Sequence, residues 1–269
     1  MTTPNMAANA LAINFAVATG AGAWPNIDRA KLALELRLRI TSPNTINQAK
    51  TPFCGPAAFW YVLASEKPVA YVQAGIDLFN NGECTIGTLK IKPGSTVVMS
   101  APQNGTSAAD WLMLAGLRDS ENTVFSAGGW FGGNVAGITV PGTLAGWFTA
   151  AGYGTVINSA DLTQTVPAAR AAQVMSANTY RASGHHIVMF IDSDVMYESN
   201  QDDAISMYPD HWVTLTTPIT DGGALAYEDP IALSVFSWGD VYKLPRNAAK
   251  PLKKKYFLYK FYGYLAVKK

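Results

Sequence analysis

With 269 residues, 49% of them apolar and 14% charged, the chain has length and core enough for one large domain or two small ones. A net charge of +1 excludes bulk attraction to nucleic acid or to acidic surfaces. Two cysteines, Cys54 and Cys84, are too few for a disulfide framework; one can serve as a nucleophile and the other as a small core hydrophobe, which fits a reducing compartment.

Residues 1–26 form an Ala-rich, mildly apolar lead-in, loosely ordered or helical, that ends at Trp24-Pro25. This lead-in lacks the basic n-region of a secretory signal, and no stretch of the chain reaches the roughly 18 apolar residues of a membrane span. No integral membrane segment is expected. The protein is expected to be made in the cytoplasm and, if it acts outside, to leave by a route that reads no such signal. The rest, 27–269, reads as one domain with a helical part over 27–182 and a β-rich part over 183–269.

From Asp28 to Ile40 the leucines alternate with charges, but Ala, Leu, Glu, Lys and Arg favour a helix begun at Asp28. Ser42-Pro43-Asn44 ends it, and a loop to Pro52 delivers Gln48. Cys54 to Ser65 reads as a buried helix with Gly55 and Pro56 in its first turn, where proline's missing N–H costs nothing. Pro68 enforces a break, and a second helix over 69–80 stops at Asn81-Gly82. Cys84 to Ile91 alternates as a short strand. Helices follow over 107–117, 142–151 and 166–182, with a strand over 155–158. The last third turns β-rich, with strands over 186–191, 211–216, 231–238 and 256–267. Helices first and an antiparallel meander afterwards predict an α+β fold.

The chemistry sits in two blocks. The first is Gln48 through Cys54-Gly55-Pro56-Ala57-Ala58, with the glutamine six residues ahead of the cysteine; the second is Pro209-Asp210-His211-Trp212-Val213. A lone cysteine before an apolar run is usually inert core. At a helix start, however, unpaired backbone N–H groups and the helix dipole favour a thiolate. The amide of Gln48 can hold a developing oxyanion, and His211 can serve as general base and acid. His185 and His186, paired at a strand start, are rivals better explained as packing residues.

The two blocks together resemble the papain-like cysteine peptidase clan, closest to its bacterial toxin and effector domains and its bacteriocin-leader peptidases. They cover about a tenth of the chain, and 95–180 lies outside the match. The resemblance implies a helix bearing the nucleophile Cys54, packed on an antiparallel sheet that bears the base His211, with Gln48 in the oxyanion hole. The family's third member is an Asn or Asp that orients the imidazole. Here Asp229, eighteen residues after His211, has the right chemistry and stands where leader peptidases carry an Asp-Pro. Phe236-Ser237-Trp238-Gly239 resembles the Asn-Ser-Trp-Gly of other papains with Phe in place of Asn, which leaves Ser237 as the alternative. The resemblance further implies a protein or peptide substrate and a secreted bacterial toxin or effector, delivered by a specialised secretion system and checked by a cognate immunity protein. Peptidoglycan amidase, deamidase or acyltransferase chemistry on the same dyad, and a non-catalytic binding module, stay open.

No cofactor or metal is expected. The glycine-rich stretch 127–137 lacks the Gly-Lys-Ser/Thr of a phosphate cradle. Asp192 to Asp203 has Tyr197 where a calcium loop needs glycine, and no Cys/His spacing suits zinc. The segment from Tyr242 carries nine Lys or Arg and no acids, interleaved with aromatics. A closing strand with lysines guarding its edge explains it more simply than a nucleic-acid face.

Overall fold

A computed structural model describes residues 3–125, 138–163, 167–197, 201, 208–220, 229–247 and 249–269. The fold is α+β, with helices and antiparallel sheets. Among the described residues, those within Met1–Gly137, Ala150–Gly152 and Trp238–Asp240 form one compact unit; those within Ile138–Thr149, Tyr153–Ser237 and Val241–Lys269 form the other.

The first unit is helical. Helix α1 (Thr3–Val17) packs on α2 (Arg29–Thr41) and on α4 (Pro68–Asn81) through Ala8, Ala12 and Phe15, so the N-terminal segment is part of this core. Trp24 is buried behind it and donates from Nε1 to Leu78 O at 2.9 Å. Asp28 caps α2 by accepting from Lys31 N at 2.7 Å, the start signal read from the sequence. A 3₁₀ turn (Pro43–Thr45) leads to α3 (Cys54–Glu66), and Pro68 opens α4 at its first turn. Gly82, at φ 75°, closes α4 in the left-handed conformation. The stretch predicted as one strand over 84–91 is a hairpin, β1 (Cys84–Ile86) with β2 (Leu89–Ile91), because Gly87 at φ 60° reverses the chain midway. A short α5 (Ser95–Val98) precedes a continuous helix. It begins as α6 (Ala108–Asp110), passes through a π-helical stretch (Trp111–Ala115) and continues as α7 (Gly116–Phe125).

The second unit is built on an antiparallel sheet of β3 (Thr155–Asn158), β4 (His186–Ile191), β5 (His211–Leu215), β7 (Leu233–Ser237), β8 (Asp240–Leu244) and β10 (Phe261–Lys268). Their order across the sheet is β3-β10-β4-β5-β7-β8. Helices α8 (Pro141–Ala150), α9 (Pro167–Ala182) and α10 (Asp194–Tyr197) accompany it, and α9 packs on β10 and β4. The predicted strand over 231–238 divides into β6 (Pro230–Ile231) and β7, since β6 leaves the main sheet to pair with β9 (Leu252–Lys253).

The C-terminal segment departs most from expectation. Lys254–Tyr259 is a helix, α11, and β10 is an interior strand between β3 and β4, not an edge guarded by lysines. Tyr256, Phe257, Phe261, Tyr262 and Tyr264 are buried. Lys260, only 2% exposed, binds Asp192 at 2.9 Å and Asp194 at 3.1 Å. The front of the acidic stretch thus receives an internal ammonium. Asp202, Asp203 and the glycine-rich stretch 127–137 lie outside the described residues. Among the described residues no group of side chains is arranged to hold a metal ion, and no helix is long and apolar enough to cross a membrane.

Candidate active site

Cys54 is the first residue of α3 and is buried, 4% exposed. The residues before it explain the placement. Thr51 folds back on Gln48, donating from N at 3.2 Å and from Oγ1 at 2.6 Å to Gln48 O. Phe53 occupies the cap position and offers no side-chain acceptor to the first turn. Pro56 has no N–H to satisfy. The positive end of the α3 dipole therefore acts on Cys54, and the cap residue's own side chain supplies no oxygen to offset it.

Gln48 is also buried, and its Nε2 donates to Thr51 O at 3.2 Å. A carboxamide carries two donor protons, so this bond holds the group in place and uses one of them. Just upstream, Asn47 Oδ1 accepts from Ala49 N at 2.7 Å, which stabilises Ala49 at φ 50°. Gly239 packs on Asn47 so closely that a Cβ there would lie 2.8 Å from Asn47 Nδ2. With Trp238 at φ 42° and Gly239 at φ 79°, the β7–β8 connection has the dihedral signs of a type I′ hairpin turn.

Behind Cys54, α3 packs on the π-helical stretch. The ring of Phe53 meets that of Trp111 at 6.2 Å, and Trp60 Nε1 donates to Met113 O at 2.9 Å. The helix is anchored at its start by a buried ion pair, Arg39 Nη2 to Asp110 Oδ2 at 2.7 Å, with Ser107 Oγ on both partners. Farther along, in α7, stands Arg118, half-buried; burial lowers its pKa, with electrostatic interaction with Cys54 and Glu121 acting the other way. No signal in the sequence singled out Arg118, which is sixty-four positions from Cys54 in the chain. Cys84 differs from Cys54. Burial, with Asp77 adding to it, pushes its thiol up to about 12, and neither cysteine is in a disulfide.

In the second unit, His211 opens β5 opposite Ile191 of β4 and is 3% exposed. Asp210 holds the preceding turn by accepting from Ser193 N at 2.7 Å and Ser193 Oγ at 2.8 Å. The β5–β7 register pairs Thr214 with Phe236; continued by one residue it sets Val213 opposite Ser237. His211 lies two residues before Val213, so His211 and Ser237 share one face. Their side chains meet there: His211 Nε2 lies 2.7 Å from Ser237 Oγ. Trp212, next along the strand, faces the other way. It stacks on Phe190 at 4.3 Å and donates to Thr139 O at 2.7 Å.

Burial pulls the pKa of His211 from 6.5 down to about 3. The ring is therefore neutral at physiological pH, with one nitrogen a donor and the other an acceptor.

Asp229 precedes β6; its backbone carbonyl accepts from Lys254 N at 2.9 Å, while Oδ2 is buried and accepts no hydrogen bond among the described residues. His185 Nδ1 lies 3.0 Å from Ser183 Oγ and 3.1 Å from Tyr180 O, against the Tyr180 ring, which is a packing role. His186 begins β4, half-buried.

No protein-family model, no curated protein and no solved structure matches this chain.

Proposed function

We propose that the protein is a papain-like cysteine hydrolase that cleaves peptide bonds. The observation that best supports this reading is the hydrogen bond between His211 Nε2 and Ser237 Oγ. A partner on one ring nitrogen holds the imidazole's orientation and reserves the other nitrogen for proton transfer. Ser237 then takes the orienting role, for which the sequence also offers Asp229.

In this mechanism His211 accepts the Cys54 proton as Sγ attacks the scissile carbonyl carbon. The oxyanion that forms is held by the second amide proton of Gln48 and by backbone N–H of Cys54. Collapse breaks the C–N bond, and the proton on His211 passes to the departing amine, leaving a thioester on Cys54. Water, deprotonated by His211, attacks that thioester. The acid product leaves and the thiol is restored. This reading requires Sγ of Cys54 and the imidazole of His211 to come within hydrogen-bonding reach.

Incubating the protein with unfolded protein substrates and, separately, with cell-wall sacculi tests the proposal. Expected is proteolysis that both Cys54→Ala and His211→Ala abolish. Release of muropeptides without proteolysis would move the same dyad to peptidoglycan amide bonds. Activity undiminished in Cys54→Ala would end the hydrolase reading.

A further inference from the structure

An imidazole that transfers protons needs its backbone fixed as well as its ring, because a misplacement of about 1 Å can cost about a hundredfold in rate. Ser237 holds the ring of His211. The sheet holds the backbone less securely, since His211 is the first residue of β5. Among the described residues the β5–β7 register covers Thr214 and Leu215 and does not extend to His211. Backbone beyond the end of a ladder opens most readily.

We propose that Asp210 is a positioning residue for His211: its carboxylate ties the backbone entering β5 to the turn that leaves β4. The inference rests on the reading of His211 as general base. Asp210 Oδ1 accepts from Ser193 N at 2.7 Å and Oδ2 accepts from Ser193 Oγ at 2.8 Å, so both oxygens close on one residue seventeen positions upstream. The main chain of Asp210 adds a third bond, from its N to Ile191 O at 3.1 Å, and Ile191 is the partner of His211 across the β4–β5 pair. Side chain and main chain of Asp210 together grip the end of β4, one position before the imidazole.

The turn that Asp210 grips is itself anchored. Buried Lys260 donates to Asp192 Oδ2 at 2.9 Å and to Asp194 Oδ2 at 3.1 Å, and its carbonyl accepts from Asp192 N at 2.9 Å. Asp192 Oδ1 accepts from Asp194 N at 2.9 Å. Ser193 stands between these two aspartates in the chain, and the Lys260 ammonium offsets both, which lowers the repulsion that the Asp210 carboxylate meets there. Asp210 thus acts through the backbone of His211 and touches no reacting atom.

The test is the proton–nitrogen NMR spectrum of the imidazoles in the isotope-labelled full chain at pH 7, with His211 assigned through His211→Gln. The chain has three histidines, and His185 and His186, at the far end of β4, serve as internal controls. Wild type is expected to show His211 as a single neutral tautomer with two well-separated ring-nitrogen shifts, set by the bond to Ser237. Asp210→Ala should draw those two shifts toward each other as the ring loosens, with the controls unmoved. It should also lower kcat on an unfolded protein substrate about tenfold with KM little changed. Asp210→Asn should recover most of both, since its amide oxygen accepts from Ser193 N and its amide nitrogen donates to Ser193 Oγ. Ser193→Ala removes the Oγ bond alone and should give the same change in smaller measure, a second variant should the alanine at 210 fail to fold.

His211 signals that stay put in Asp210→Ala and Ser193→Ala, with only stability reduced, would make the tie merely structural and overturn the proposal. Asparagine as damaging as alanine would assign the effect to charge and overturn it too. So would a raised KM with kcat unchanged, which moves Asp210 to substrate binding. Undiminished activity of Cys54→Ala would instead strike the hydrolase reading; the imidazole spectrum needs no substrate and still decides whether Asp210 positions His211.

Discussion

Replacing His211 with glutamine should remove one component of the protein's acid sensitivity. Glutamine places a nitrogen where Nε2 reaches Ser237 but does not titrate. In the wild type the unfolded chain binds a proton at His211 below pH 6.5, whereas the folded state resists it down to about 3. The sign follows. A histidine with a lowered folded pKa costs nothing at pH 7, and its penalty grows as pH falls from 6.5 toward 3. At pH 4 the gap spans about 2.5 pH units, or about 3 kcal/mol of stability lost through this one group. Urea unfolding followed by tryptophan fluorescence at pH 7 and pH 4 measures it for both proteins. The variant has a fixed offset from lost packing, but its decline over that range should be smaller by about 3 kcal/mol. Asp210, whose pKa burial raises, is common to both proteins and cancels in the difference. Equal declines would mean that the folded imidazole takes up its proton at an ordinary pH. Burial would then not be what governs this imidazole.

Asp110→Asn leaves the buried Arg39 guanidinium without its counter-charge and should cost about 3–5 kcal/mol in urea unfolding; a joint Arg39→Met, Asp110→Leu replacement should recover most of that. Gly239→Ala combines an unfavourable φ of 79° with a Cβ 2.8–2.9 Å from Asn47. It should lose about 1–3 kcal/mol, and Asn47→Ala should relieve only the steric part, as a double-mutant cycle will show. At pH 8 in native protein, iodoacetamide should modify Cys54 and spare Cys84, whose thiol lies near 12. Adding urea should expose Cys84 in step with unfolding; native modification of Cys84 would show that its thiol is open to solvent in the folded state. Ser237→Ala should lower kcat roughly tenfold or more with KM little changed, because the imidazole loses the hydrogen bond that orients it.

Some of the architecture was readable residue by residue. Asp28 begins α2, Pro68 opens α4 and Gly82 ends it, because caps and breakers act on the backbone within a turn of themselves. Cys54 at a helix start and His211 at a strand start were readable for the same reason. The stretch from Tyr256 misled. Its aromatics suit a strand, yet Lys254–Tyr259 coils, because the core rewards burying those rings in either conformation. The lysines there suggested a solvent edge, and the aspartates that receive Lys260 lie about seventy positions upstream.

What the chain determined by itself was local: where helices start and stop, which residues alternate in a strand, and which side chains carry usable chemistry. The tertiary structure decided which distant groups become neighbours. It set β10 between β3 and β4 and brought Ser237 rather than an acid to Nε2 of His211. The physical reason is range. Caps and periodicity act over a few residues, whereas strand register, burial and Coulomb fields depend on distances in space that no interval along the chain encodes.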